Sequence, residues 1–273
     1  MNALRNKMDS KERGMRFFLI AAAAVSIAGC KPSTEANNTA AIEAPKAEQP
    51  PAKPPYTEAD WKRDFNSSFV TSKSETNGDG VTTYTACFEP NGEKCALALS
   101  GMKDGFRKVD HLTPAATAWH GWLVKYPKGG VTASFVDLRA VAVHCDEVVV
   151  VLNPVLHAKN WLFMNKIAFM ANGDVVYEQS AADLQSVQRD TDDGKIWEKW
   201  SFRLEPEHYA SLEKFAAAES KIIRLSGDKG YITMQADSLK VFTEDFPKVM
   251  KAVRALNESL TKGGGPTCTP SSA

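Results

Sequence analysis

The chain has 273 residues with 33 basic and 33 acidic side chains, so its formal net charge is zero. A general nucleic-acid binder needs a basic surplus to neutralise phosphates, and the balance argues against that class. Apolar residues at 43% and charged residues at 24% are ordinary for a globular protein.

Arg16 precedes an apolar run from Phe17 to Val25, which passes into the small residues before Cys30. A charged start, an apolar stretch and a small-residue cleavage site form a secretory signal. Counted on through Ala28 the stretch is about twelve residues, too short to cross a bilayer core of about 30 Å as a helix. Ile27-Ala28-Gly29-Cys30 resembles the lipobox of bacterial lipoproteins: an aliphatic residue, a small residue, Gly or Ala, then cysteine. The resemblance covers this segment alone. It implies a signal peptide over residues 1–29, diacylglycerol on the Cys30 sulfur, and acylation of the new amino terminus. A cysteine thiolate suits thioether formation, and several acyl chains anchor stably where one is marginal. Lys31 stands where some lipoproteins carry an aspartate retention signal, which implies the outer membrane with the domain facing the periplasm. Met1, Met8 and Met15 are alternative starts that leave the mature chain unchanged.

Residues 30–55 are rich in Pro, Ala and polar side chains, with Ile42 as the one large aliphatic. Such a segment buries too little apolar surface to offset its ordering entropy and reads as a disordered tether. It reaches roughly 75–80 Å when extended and about 25–30 Å as a coil.

A domain over residues 56–262 follows. Thr57 with Asp60 gives a capping-box start, and Trp61, Phe65 and Phe69 form one helical stripe. "VTTYTACFEPNGEKCALAL" reads as a hairpin turning at Pro90-Asn91-Gly92. Asn172-Gly173 predicts a second hairpin between "KIAFMA" and "DVVYE". "VVVVL" and "WLFM" are apolar on both faces, as strands covered on both sides are. "WHGW", Trp119 to Trp122, reads as a loop or strand end. "KIWEKWSFRL" is a strand, "PEHYASLEKFAAAES" a helix opened by Pro206, and "KIIRLSGDKGYITM" a hairpin. "TEDFPKVMKAVRALNESL" is a last helix with Val249, Val253, Leu256 and Leu260 on one face. Residues 263–273 form a glycine-led tail. This order predicts an α+β fold, mostly antiparallel sheet with flanking helices, as one domain or as two subdomains meeting near residue 180.

Four cysteines remain besides Cys30: Cys87, Cys95, Cys145 and Cys268. An even number in an exported chain predicts disulfides. Cys87 and Cys95 flank the first hairpin turn and can pair, which leaves Cys145 with Cys268; the alternative is a buried free thiol at Cys145.

No catalytic residue, metal or cofactor is expected. The histidines, His111, His120, His144, His157 and His208, are scattered, and no G-x-S-x-G elbow is present. Adjacent residues on a strand point to opposite faces, so His144 and Cys145 make a poor dyad. "DTDDGKIWE" misses the calcium-loop register and reads as a polar turn. In "KIWEKWSFRL", Ile196, Glu198, Trp200, Phe202 and Leu204 share one strand face. Trp197, Lys199 and Arg203 share the other, an aromatic flanked by cations and a candidate partner-binding surface. The expected function is a non-catalytic envelope lipoprotein, a binding or assembly module, held to the membrane by its lipid anchor. Its partner would be an envelope protein or a glycan. The alternatives are a lipid-anchored inhibitor of an envelope enzyme and an envelope hydrolase.

Overall fold

A computed structural model describes residues 56–125, 133–192 and 194–262. Cys30, the tether and the tail with Cys268 lie outside them. The described residues belong to one compact unit, Pro51–Ala273, and its fold is α+β with mostly antiparallel sheet.

Helix α1 (Glu58–Ser68) opens with the expected capping box: Thr57 accepts from the Asp60 N–H, and Asp60 accepts from the Thr57 N–H. Trp61 and Phe65 are buried, and Phe69 begins the next element, β1 (Phe69–Thr76). The chain then runs as an antiparallel meander through β2 (Val81–Phe88), β3 (Leu97–Asp104) and β4 (Val109–Pro114). After α2 (Ala115–Lys125), β5 (Ala133–Val143) and β6 (Val148–Ala158) continue the same sheet. β10 (Lys195–Trp200) and β9 (Val187–Asp192) complete its far side, and β11 (Phe202–Leu204) pairs with β6. A second sheet has the order β13-β12-β7-β8, from β7 (Met164–Ala171), β8 (Asp174–Ser180), β12 (Lys221–Gly227) and β13 (Gly230–Thr233). Helix α3 (Tyr209–Ala217) follows a short 3-10 turn that starts at Pro206.

One expected turn and one expected disulfide form as read. Asn172 and Gly173 both take positive φ, 52° and 94°, as a two-residue hairpin between β7 and β8 requires. Cys87 and Cys95 form a disulfide. Cys145 is also disulfide-bonded and is therefore no free thiol; Cys268, its expected partner, lies outside the described residues.

Three local expectations change. "WHGW" lies in helix α2. The buried Asp245 carboxylate caps that helix by accepting from the Thr117 N–H at 3.2 Å and hydroxyl at 2.8 Å. A Cβ on Gly121 would come within 2.9 Å of the Phe135 ring, so the glycine permits close docking. The last helix, α4 (Ala236–Lys262), starts earlier than its sequence suggests and, as expected, runs through Pro247. A proline inside a helix costs about 3 kcal/mol, offset here by burial of Phe242, Phe246, Val249, Val253 and Leu256. The "KIWEKWSFRL" strand is interrupted at Ser201, although β10 and β11 keep one register against β6. The break falls opposite Asn153-Pro154; proline has no N–H for the ladder, and the Ser201 hydroxyl donates to Asn153 Oδ1 instead, at 2.5 Å.

The two sheets meet at Glu198, which is fully buried. Its Oε1 accepts from the N–H groups of Leu162 at 2.7 Å and Phe163 at 3.0 Å, and its Oε2 from Met164 at 2.6 Å. Arg189 Nε lies 3.4 Å from Oε2. Phe163 holds φ at 52°, and a Cβ on Gly227 would sit 2.4 Å from the Leu162 and Phe163 carbonyl oxygens. The passage from β6 into β7 is thus packed too tightly for water to replace the carboxylate. We expect Glu198→Ala to destabilise the fold by about 3–5 kcal/mol, read by denaturant unfolding. A loss under about 1 kcal/mol would contradict this reading of the junction.

Candidate functional site

Tyr84 on β2, Asp110 on β4 and His144 in the turn after β5 point to one side of the large sheet. Tyr84 pairs with Gly101 on β3, and Gly101 with Leu112 on β4. The Tyr84 ring lies flat across Gly101, where a Cβ would stand 2.2 Å from the ring carbons. That crossing lets the phenol reach one strand further and donate to Asp110 Oδ1 at 2.8 Å. Asp110 Oδ2 accepts from His144 Nε2 at 2.6 Å. The His144 ring stacks on Trp61 of α1, 5.5 Å between centroids and 27° between planes. All four residues are buried. Burial first, and then the Asp110 charge and hydrogen bond, push the Tyr84 phenol far above its ordinary pKa, so it remains a donor.

A cavity of about 190 Å³ opens beside this network, between α1 and strands β1–β4. Trp61, Phe65, Tyr84 and Asp110 line its buried floor. Its accessible wall holds Lys62, Asn66, Thr71 and Ser74, all exposed, and the half-buried Lys103. Ser74 reaches the cavity because β1 carries an irregularity between Ser72 and Glu75, with Lys73 at φ 51°. A bulge of this kind re-aims a side chain off the pleat.

The buried polar groups of the floor bond one another. His144 Nε2 bonds Asp110, and Nδ1 is buried with no hydrogen-bond partner among the described residues. Its neighbour Cys145 is disulfide-bonded. Among the described residues, no group of three His, Cys, Asp or Glu side chains could hold a metal ion.

No family model and no curated protein matches the chain. Among solved structures, the chain in the crystal structure of MHC-like MILL2 aligns at 12% identity, over 57% of this chain and 67% of that one. Its TM-score is 0.23, and the likeness carries no argument.

The surface proposed on β10 and β11 is placed as its alternation predicts, without forming one compact cluster. Ile196, Glu198 and Trp200 are buried, while Trp197 and Lys199 are half-buried on the other face. Trp197 lies opposite His157 on β6. Burial, and then the Arg139 cation, lower the Lys199 pKa, with Asp137 opposing. Arg203 is exposed but engaged, with Nη1 2.6 Å from Glu147 and Nε 3.3 Å from Glu205. It stands about 20 Å along the strand from Trp197. Cys30 lies outside the described residues, and among those residues no helix is long and apolar enough to cross a membrane.

Sequence reasoning missed Tyr84, Asp110 and His144, which are 26 and 34 residues apart. One signal was present: Asp110 occupies the apolar register of β4, in line with Leu112 and Pro114. The crossing at Gly101 is testable. We expect Gly101→Ala to cost about 1–3 kcal/mol in the wild type and much less when Tyr84 is already Ala. Equal costs in a double-mutant cycle would show that the ring does not depend on the glycine.

Proposed function

We propose that this chain is a lipid-anchored envelope protein whose domain binds its partner without catalysis, through the pocket between α1 and β1–β4. One contrast supports the binding reading. The buried polar groups of the floor are engaged with one another, whereas the side chains of Asn66, Thr71, Ser74 and Lys103 hold no hydrogen bond or ion pair among the described residues. Engaged buried groups fix a shape, and unengaged groups converging on a cavity await a ligand. The anchor rests on Ile27-Ala28-Gly29-Cys30 after the apolar run, and the outer membrane on Lys31.

Two experiments test these halves separately. Cys30→Ala should move the protein from the membrane to the soluble fraction; continued membrane retention would contradict the lipid anchor. Affinity capture from envelope extract, read for proteins and glycans together, should enrich one stoichiometric partner with the wild type. Ser74→Trp, which fills the pocket from an exposed position, should lose that partner while its unfolding midpoint stays the same. Capture that persists with Ser74→Trp would move recognition elsewhere, and Trp197→Ala would then be the variant to compare.

A further inference from the structure

The pocket's unengaged groups define the chemistry of what it takes, and this step rests on the binding reading above. Lys103 lies opposite Asp110 in the β3–β4 register, yet its ammonium has no carboxylate within 4.0 Å among the described residues. The two Asp110 oxygens instead accept from Tyr84 and His144, one bond each. Lys62 contacts Glu58 at 3.5 Å, with 59% and 40% of the two side chains exposed. An ion pair so exposed contributes little and gives way easily. The accessible wall therefore offers two ammonium groups and no exposed carboxylate. Ammonium groups only donate and carry positive charge, which favours an anionic acceptor.

The remaining wall groups narrow the choice. The Asn66 amide and the Thr71 and Ser74 hydroxyls each donate and accept, the complement of ligand hydroxyl groups that do the same. Phe65, with the edges of Trp61 and Tyr84, gives an apolar floor. The volume of about 190 Å³ is the share of about six waters, room for one substituted six-membered ring. We infer that the pocket between α1 and β1–β4 binds a single sugar unit bearing a carboxylate, with Lys103 holding the anion and Asn66, Thr71 and Ser74 holding the ring hydroxyls.

The test titrates the purified full chain with D-glucuronate, D-glucose and acetate, using ligand-observed NMR and calorimetry. Glucuronate should bind saturably, and glucose and acetate should each bind about ten-fold more weakly or worse. Lys103→Met should weaken glucuronate about ten-fold or more, while Lys103→Arg, which keeps the charge, stays within about three-fold. Thr71→Ala with Ser74→Ala should weaken glucuronate without altering the weak acetate signal. Glucose binding as tightly as glucuronate would overturn the anion requirement, and acetate binding as tightly would overturn the sugar. Glucuronate binding that ignores Lys103→Met would overturn the site. The inference fails apart from the binding reading: a partner lost with Ser74→Trp but untouched by glucuronate competition would sink the acidic sugar and leave the pocket's binding role standing.

Discussion

The Glu198 carboxylate is the contact on which the rest of the architecture depends. A charge removed from water is costly unless hydrogen bonds replace its hydration. Three successive N–H groups, those of Leu162, Phe163 and Met164, do so here. The chain leaves the large sheet at β6 and enters the second sheet at β7 through those residues. Without the carboxylate, three backbone donors would stand buried and unpaired at the point where the sheets join. Arg189 ties the same corner from the neighbouring strand, donating to the Met164 carbonyl at 3.1 Å. One side chain thereby sets where the second sheet begins, and with it where α4 can lie.

Helix α4 then distributes that alignment. It packs against α1, α2 and α3 and against β5 and β6. Its contacts to backbone are polar as well as apolar. Asn257 pairs with both backbone groups of Val148, accepting from its N–H at 3.0 Å and donating to its carbonyl at 2.8 Å. Asp245 caps α2 on the same helix, and burial raises its pKa. The aromatic chain of Phe169, Phe215, Phe242 and Phe246 links it to the second sheet and α3. Helix α1, the outer wall of the pocket, is held from two directions. Trp61 stacks on His144, and Glu58 lies 3.4 Å from Lys108 of the β3–β4 turn. The pocket wall is a consequence of the core rather than an addition to it.

Much of the fold was legible because its signals are local. The Thr57 capping box, the Asn172-Gly173 hairpin and the Cys87–Cys95 pairing each depend on residues close in sequence. The failures depend on distant partners. Helix α2 carries Gly121, which local propensity counts against a helix, and forms because Asp245 and Phe135 receive it. Helix α4 starts as early as Ala236, where Gln235 bonds Ser134 and Ser238 bonds His120. The β10–β11 break is written on β6, at Pro154. The site was illegible for the same reason, since Tyr84 reaches Asp110 across an intervening strand.

Three carboxylates share a pattern that sequence alone displays. Asp110 stands in line with Leu112 on β4, Glu198 between Ile196 and Trp200 on β10, and Asp245 beside Phe242 and Phe246 on α4. Each charge occupies an apolar register, where an unpaired carboxylate would cost several kcal/mol. Each is buried and hydrogen-bonded: Asp110 by a phenol and an imidazole, Glu198 by three N–H groups, and Asp245, through Oδ2, by Thr117 in the first turn of α2. An acidic residue on the core face of an element therefore marks a fixed joint of this molecule. Lys103 presents the opposite case. It too shares the Asp110 register, yet its charge is only half-buried and unpaired among the described residues. A joint requires engagement and burial together, whereas a recognition group requires accessibility and a missing partner. By that criterion the carboxylates of this protein build its frame, and the ammonium of Lys103 belongs to what the frame presents.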